Sequence, residues 1–280
     1  MLQKNFFGAV CALLCIFVCV QCESENQFKP IPNSSRLPLP EKEIEVAEVK
    51  TLPSKGDKKY LYITFDDGPN KGPQNIVEVL KKEQIPATLF LVGEHIFGSK
   101  AQWRDFELIL QDTLFQIGNH SYSHAKNQFT KYYRDSAQVL ADFNRFNDSL
   151  KRKSMIARTP GRNIWRIGKL SVTDIKSSKA SADYLAKNGF KLVGWDIEWK
   201  SDSNFKAKES SQEILNLIDS AFAKKSMKTE NHLVLLTHDQ YFRDSVSLKE
   251  LSKFLQTIKS REDIELKKIK DYPGIAPVLH

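Results

Sequence analysis

The sequence predicts an α/β protein: a barrel-like single domain of about seven parallel strands. Apolar β-type runs alternate with amphipathic helical segments from residue 58 onward, as in consecutive βα units. No internal repeat and no phosphate-cradling glycine loop interrupts the alternation. The content of 41% hydrophobic and 27% charged residues is that of a soluble globular protein rather than a disordered or fibrous one. An open doubly wound sheet is the alternative architecture.

The predicted elements follow one another as strand and helix along the whole domain. Short apolar runs bounded by polar or glycine-containing segments predict strands at 60–65, 87–92, 115–118, 155–158, 191–196, 232–236 and 264–268. Apolar residues recurring every three to four positions predict helices at 73–83, 103–111, 133–150, 180–187, 211–224 and 247–259. The 133–150 segment has the clearest period, and Asn188-Gly189 is a stop signal after 180–187.

The first 22 residues are predicted to be a secretory signal. Lys4 precedes an apolar run at 6–20, which is shorter than the roughly 20 residues that span a bilayer and is followed by a polar stretch. Cys22 also allows a lipoprotein signal, in which this cysteine would carry a lipid anchor. Both interpretations place the protein outside the cytoplasm, as a periplasmic, cell-envelope or secreted protein.

All four cysteines, Cys11, Cys15, Cys19 and Cys22, lie in this predicted signal. The rest of the chain therefore has no disulfide framework and no thiolate for a metal. Residues 23–56 contain five prolines without sustained periodicity and are predicted to be a linker, which leaves 57–280 for the domain.

The net charge of +8 does not indicate a nucleic-acid partner. The 42 Lys and Arg are interspersed with 34 Asp and Glu, and no long run of like charge occurs. The basic surface is either simply solvated or attracts an anionic polymer such as a bacterial cell wall.

Two adjacent carboxylates, Asp66 and Asp67, follow the first strand and precede Gly68-Pro69. Active sites of barrels and open sheets lie at the carboxyl ends of parallel strands. A turn at this point would bring both carboxylates to one mouth, where a cation or a raised pKa must offset their repulsion. An ordinary Asp-Gly turn is the alternative interpretation.

Two histidines, His120 and His124, follow the third strand. A spacing of four places both on one face of a helical turn, where they can share a metal ion. One carboxylate would complete a facial triad with open positions. The alternative is a pair of unrelated surface histidines.

Later strands end in further polar or aromatic residues. Arg158 follows the fourth strand and can hold a carboxylate ionised. The tight turn at Pro160-Gly161 can direct backbone N–H groups toward an oxyanion. His238 follows the sixth strand and is placed for proton transfer.

The fifth strand closes in a cluster of two tryptophans and two acids at 195–199. Asp196 and Glu198 share a strand face, and Trp195 and Trp199 could stack on a sugar or lie in the core.

These ordered segments resemble the polysaccharide deacetylases with a NodB homology domain, carbohydrate esterase family four. The resemblance rests on 64–69 (TFDDGP), 120–124 (HSYSH), 158–160 (RTP), the cluster at 195–199 and 236–238 (LTH), and it spans most of the predicted domain. It implies a distorted (β/α) barrel. It also implies a polysaccharide N-deacetylase that hydrolyses the N-acetyl groups of amino sugars and releases acetate. We expect the protein to be a monomer.

The resemblance also implies a role for each site residue. Asp67, His120 and His124 would bind a divalent metal, usually zinc, with cobalt and nickel as alternatives. Asp66 would be the general base and Arg158 would pair with it. His238 would be the general acid, with Asp196, slightly preferred, or Glu198 raising its pKa. Gly161 would stabilise the oxyanion together with the metal, and Pro160, Trp195 and Trp199 would contact the substrate.

Two departures from the family pattern are visible. Gly161 stands where the family usually has a tyrosine, and the acid and tryptophan cluster is compressed. Export, basic charge and the lack of an added binding module favour peptidoglycan as the substrate, with chitin-like oligomers or an exopolysaccharide as alternatives. A catalytically silent glycan-binding relative and a glycoside hydrolase using Asp66 and Glu198 are competing hypotheses.

Overall fold

A curled, mixed sheet of ten strands organises the residues that the computed structural model describes, 58–70 and 73–275. These residues form one α/β domain with the shape of a half-barrel. The predicted signal at 1–22 and the predicted linker at 23–56 lie outside them. Of the helices described, none combines the length and apolarity needed to cross a membrane.

The strands and helices alternate much as predicted. The strands are β1 (Lys59–Asp66), β2 (Ala87–Leu91), β3 (Phe115–Asn119), β4 (Ile156–Ala157), β5 (Ile164–Ile167), β6 (Leu170–Thr173), β7 (Lys191–Leu192), β8 (Ile197–Glu198), β9 (His232–His238) and β10 (Ile264–Leu266). The helices are α1 (Pro73–Glu83), α2 (Gly93–Ile96), α3 (Lys100–Gln111), α4 (Phe129–Tyr132), α5 (Ser136–Ser149), α6 (Lys179–Lys187), α7 (Ser211–Lys224) and α8 (Ser245–Lys259).

Strand β1 is an interior strand of the sheet and pairs with three others. The strand order is β6-β5-β7-β4-β3-β2-β1-β9-β8, and β10 also pairs with β1. Strand β9 pairs with β1 in parallel from Tyr60↔His232 to Asp66↔His238. Strands β10 and β2 pair with the first and last parts of β1. Parallel pairing from β7 through to β8 brings the carboxyl ends of these strands to one edge.

Both faces of β1 are buried. Leu61, Ile63 and Phe65 pack in a cluster with residues of the helices, including Ile76 and Leu251. Tyr62 faces the other side and packs with Phe90, Trp165 and Tyr272. Each fully buried apolar side chain contributes roughly 1.5–3 kcal/mol, so the strand that carries Asp66 is held rigidly by the core.

The structure differs from the sequence prediction in the fifth strand and in an added hairpin. Only the first two residues of the predicted strand 191–196 form a strand, β7, which pairs with β4, and the next strand, β8, begins beyond it at Ile197 and pairs with β9. The chain leaves the sheet between them because the side chain of Asn163 bonds both the N–H and the carbonyl of Trp195. Strands β5 and β6 form an antiparallel hairpin in a segment for which no strand was predicted.

Candidate active site

The carboxyl ends of β1, β3, β4, β8 and β9 meet at one edge of the sheet. Asp66 ends β1 directly opposite His238, which ends β9. His120 follows β3, Arg158 follows β4, and Glu198 ends β8. Five residues that are far apart in sequence are thereby placed around one mouth.

A left-handed backbone at Asp67 explains how two adjacent carboxylates reach the same mouth. Asp67 has a φ of 71°, a conformation that aspartate tolerates better than most residues. Its carbonyl accepts hydrogen bonds from Asn70 Nδ2 at 2.8 Å and from His95 Nδ1 at 2.6 Å. These bonds fix the turn, so the Asp67 side chain leaves the alternation of the strand.

Asp67, His120 and His124 form the cluster of potential metal ligands in the described chain. Their ligand atoms all lie within 4.8 Å of one another. Asp67 Oδ1 is 3.0 Å from His124 Nε2 and 3.4 Å from His120 Nε2. The two histidines predicted from their spacing and the Asp67 implied by the family resemblance therefore converge in space.

The segment that carries the two histidines is not the helical turn that their spacing predicted. Ser121 has a φ of 64°, and His124, Ala125, Lys126 and Asn127 all have positive φ values between 48° and 56°. This left-handed turn is held by hydrogen bonds from Lys126 N to the Ser123 carbonyl and from Gln128 N to the Ala125 carbonyl. The imidazoles converge through this turn rather than through helical periodicity.

Each histidine is oriented by the nitrogen that does not face Asp67. His120 Nδ1 lies 2.9 Å from the Arg158 carbonyl oxygen, and His124 Nδ1 lies 3.0 Å from Asn127 Oδ1. Both oxygens accept hydrogen bonds, so each Nδ1 carries the proton and each Nε2 has a lone pair free to bind a metal.

The buried Asp67 Oδ1 atom provides a test of whether a metal fits. No described residue hydrogen-bonds to it, although both Nε2 atoms are nearby. An ionised oxygen facing two imidazole lone pairs is unfavourable unless a cation lies between them. Two nitrogen donors and one carboxylate are the set that zinc and similar divalent ions bind. The residues therefore fit a divalent metal.

The electrostatics keep the Asp67 carboxyl ionised. Burial alone would raise the pKa of this group, but the two neighbouring imidazoles outweigh burial and hold that pKa well below its ordinary value. Burial alone would lower the pKa of His124, but Asp67 outweighs it and raises that pKa. A metal at Nε2 must therefore compete with a proton.

Asp66 is 3% exposed and is held by a fully buried Arg158. Arg158 Nη1 donates to Asp66 Oδ1 at 2.8 Å and to Thr64 Oγ1 at 2.7 Å. Its remaining nitrogens donate to the carbonyls of Val193 and Gly194, and its guanidinium lies 4.2 Å from the Phe90 ring centroid. The structure thus contains the Asp66–Arg158 pair that the family resemblance implied.

His238 lies at the mouth in ion-pair contact with Asp67. Its Nε2 is 3.9 Å from Asp67 Oδ2, and its buried Nδ1 has no hydrogen-bond partner among the described residues. Asp196, the preferred partner, has one backbone N–H on each of its oxygens, from Lys228 and Val234, and makes no described hydrogen bond or ion pair with His238, so the structure gives this preference no support. A role for Glu198 stays a prediction.

One of the two predicted tryptophan contacts is wrong. Trp199 is fully buried, packs against Phe242 and Phe254, and donates its Nε1 hydrogen to the Glu209 carbonyl. Its ring is therefore part of the core and has no face to offer a sugar. Trp195 is partly exposed at the mouth, where its ring lies 5.9 Å from the Arg158 guanidinium, and its substrate contact stays a prediction.

The turn after β4 has the conformation expected of a backbone donor. Gly161 is exposed with a φ of 62°, and its N–H has no acceptor among the described residues. A Cβ at Gly161 would approach the Phe129 ring to 3.0 Å, so a side chain here would meet both strain and a close contact. Pro160 is buried, and its carbonyl accepts a hydrogen bond from Tyr133.

Three residues around the site were not identified from the sequence. Asn127 orients His124, and His95 donates to the Asp67 carbonyl. Asp239 is buried and accepts a hydrogen bond from Asn70 N, and burial together with the Asp67 charge raises its pKa to about 8. The adjacency of Asp239 to His238 was a visible signal, whereas the other two contacts depend on turns without a sequence period.

Comparisons with known proteins agree with this geometry. Residues 54–180 match a family model described as polysaccharide deacetylase. A chitin disaccharide deacetylase from Vibrio alginolyticus is 21% identical over 72% of this chain and 69% of its own length. A peptidoglycan-N-acetylglucosamine deacetylase from Bacillus cereus is 25% identical over 68% of this chain and 64% of its own length. This chain thus spans just under two thirds of the Bacillus protein.

A solved structure shares the fold. A CE4 esterase from Streptococcus mutans superposes with a TM-score of 0.56 at 23% identity, over 75% of this chain and 86% of that one. The likeness places the half-barrel among the carbohydrate esterase folds.

Proposed function

Because the chain belongs to the polysaccharide deacetylase family, we propose that it removes N-acetyl groups from an amino-sugar polymer with the help of a divalent metal. One observation carries this proposal: the ion pair of Asp66 and Arg158 lies beside the converging side chains of Asp67, His120 and His124. A base beside a metal-ligand set at one mouth suits metal-assisted hydrolysis of an amide.

The metal would be held by Asp67, His120 and His124, and we propose zinc, with cobalt and nickel as alternatives. When bound, it supplies a Lewis acid for the acetyl carbonyl oxygen. Asp66, paired with Arg158, accepts a proton from the attacking water as the new C–O bond forms. The Gly161 N–H donates to the carbonyl oxygen as negative charge develops there.

His238 completes the reaction. It donates a proton to the sugar nitrogen as the C–N bond breaks, so that acetate and a free amine are the products. Glu198, on the neighbouring strand β8, is the acid that we propose to influence this proton transfer.

Peptidoglycan is the substrate that we propose for this site. Its support is the activity for which the Bacillus cereus relative is named, the basic charge of the chain and the predicted export signal. We accordingly propose a location outside the cytoplasm. Chitin-like oligomers belong in any substrate panel, since the Vibrio alginolyticus relative is named for a chitin disaccharide.

The test is acetate release by the purified, metal-loaded protein from N-acetylglucosamine oligomers and from peptidoglycan fragments. Asp66→Asn should lower kcat by about 10²–10⁴-fold because the base is lost. Asp148→Asn, at an exposed position of α5, is the matched control and should retain activity. A chelator should abolish release. No acetate from any acetylated glycan would contradict the proposal.

A further inference from the structure

A cavity of about 480 Å³ adjoins the loop that carries His124. Ser123 and Ala125, the neighbours of this proposed metal ligand in the chain, line its wall. The cavity and the candidate active site are therefore separated only by one turn of backbone. A polymer bound across the mouth would extend past this turn.

Three cationic side chains line the cavity: Lys126, Lys131 and Arg145. All three are exposed, and none forms an ion pair with another residue in the part of the chain that the structure describes. Uncompensated cations that share one concave surface attract anions and discriminate against neutral or cationic ligands.

The single acid in the lining does not neutralise these cations. Asp142 Oδ2 accepts hydrogen bonds from the Ser123 N–H at 3.3 Å, the Ser123 hydroxyl at 3.0 Å and the Tyr132 hydroxyl at 2.9 Å. This carboxylate is thus engaged in holding the turn beside His124. Three positive charges against one negative charge leave the cavity cationic.

The cavity also has fixed geometry on two sides. The Arg145 guanidinium lies 3.8 Å from the ring centroid of Tyr122, so it is stacked and its N–H edge is available to a planar ligand. Lys126 belongs to the left-handed turn, and its backbone N–H donates to the Ser123 carbonyl at 2.8 Å. Arginine beside lysine on such a surface suits a carboxylate.

We propose that this cavity is a subsite for a carboxylate carried by the glycan, either on a sugar next to the one that is deacetylated or on a peptide attached to it. The inference rests on the proposed function, because it assumes a glycan that runs from the site past His124. It makes the substrate an acidic glycan rather than a neutral one.

Equilibrium binding tests this proposal without requiring turnover. The probe is a peptide-free peptidoglycan oligomer that bears carboxylates, compared by calorimetry with the same oligomer after its carboxyl groups are reduced to alcohols. At an ionic strength of about 0.02 M, where surface charges are weakly screened, the acidic oligomer should bind about tenfold more tightly. A third oligomer, with the peptide attached, distinguishes the two sources of the carboxylate.

The variant K126Q/K131Q should remove most of this preference, and Arg145→Gln should remove part of it. K249Q/K259Q, which makes the same charge change at exposed positions of α8, is the control and should retain the preference. Thermal unfolding of each variant checks that the fold is kept.

Equal affinity for the acidic and reduced oligomers, with and without the peptide, would overturn the subsite, as would a preference that survives in K126Q/K131Q. A preference seen only with the peptide attached assigns the carboxylate to the peptide. Acetate release measured in parallel separates the two proposals. If acetate is released from the oligomers but the acidic oligomer does not bind more tightly, the proposed function is retained and the subsite is contradicted. If the acidic oligomer binds more tightly but no acetate is released, the subsite is retained and the proposed function is contradicted.

Discussion

Asn127 orients the proposed metal ligand His124 without being a metal ligand itself. Its Oδ1 accepts from His124 Nδ1 and leaves Nε2 directed at Asp67. Partners of this kind typically change metal affinity by about 10–100-fold. We expect Asn127→Ala to weaken zinc binding within this range, measured by competition with a chromogenic chelator.

The control for this prediction is Asn127→Asp. Aspartate retains an acceptor oxygen and tolerates the left-handed backbone at this position, where φ is 56°. It should therefore keep zinc affinity at or above that of the parent protein. An Asn127→Ala variant that binds zinc as tightly as the parent would show that the contact has no orienting role.

The proposed metal ligands were predictable at this scale, but some of their neighbours were not. Asp67, His120 and His124 are identifiable by residue type and by their place after predicted strands. Asn127 is not, since its contact depends on four successive left-handed residues that no sequence period indicates. The burial of Trp199 was equally hidden, because it depends on rings from α8 and from the turn after β9.

At the scale of elements, the break between β7 and β8 places Asp196 and Glu198 in different surroundings. Both Asp196 oxygens accept backbone N–H groups, one of them from β9, whereas Glu198 accepts no hydrogen bond from the described residues. Of these two donors the Val234 N–H is buried, and removing the acceptor of a buried donor costs about 1–3 kcal/mol. We expect Asp196→Ala to lower the free energy of unfolding by this amount and Glu198→Gln to change it little, as measured by urea denaturation.

Equal losses in the two variants would contradict this assignment. The pH profile of kcat provides the complementary readout, because Glu198→Gln should shift it if Glu198 influences His238, and Asp196→Ala should not. Strand parity could not make this distinction, since it assumes a regular strand over 191–196 and the chain leaves the sheet at Trp195.

Most helices and strands were predictable, while the β5–β6 hairpin was not. Helices α1 and α7 have the predicted bounds, and α5 begins at Ser136 rather than at residue 133 because Asp135 caps it. The hairpin was hidden by Arg166, a charged residue in a buried strand, which is stabilised by Asp183 and Thr173. Gly168, with a φ of 53°, was the visible turn signal.

At the scale of the whole molecule, Asp239 links stability to pH. Its pKa is raised to about 8 by burial and by the Asp67 charge, so the folded state keeps a proton that the unfolded chain loses near pH 4. The folded state then binds more protons between these values, and stability must fall as the pH rises. We expect the free energy of unfolding of the metal-free protein to decrease from pH 5 to pH 8.

Asp239→Asn isolates this contribution because it keeps the size of the side chain without the titration. Urea denaturation at several pH values should show a smaller decrease in the variant than in the parent protein. Identical pH slopes in the two proteins would contradict a buried, neutral Asp239.

The fold as a whole followed from the alternation of strands and helices, which parallel βα units require. What the alternation could not predict was the degree of closure. The sheet is a half-barrel whose path in the described residues runs from β6 to β8, and its antiparallel hairpin adds two strands at one side. Those features depend on long-range pairing rather than on local periodicity.

The central claim is that this mouth hydrolyses N-acetyl groups with a divalent metal. The most direct measurement is mass spectrometry of acetylated amino-sugar oligomers after incubation with the metal-loaded protein. We predict products of constant chain length that have each lost acetyl groups, in amounts equal to the acetate released. In the presence of a chelator, the masses of the oligomers should stay the same as before incubation. Unchanged masses with the loaded protein, or shortened chains that retain their acetyl groups, would contradict the account.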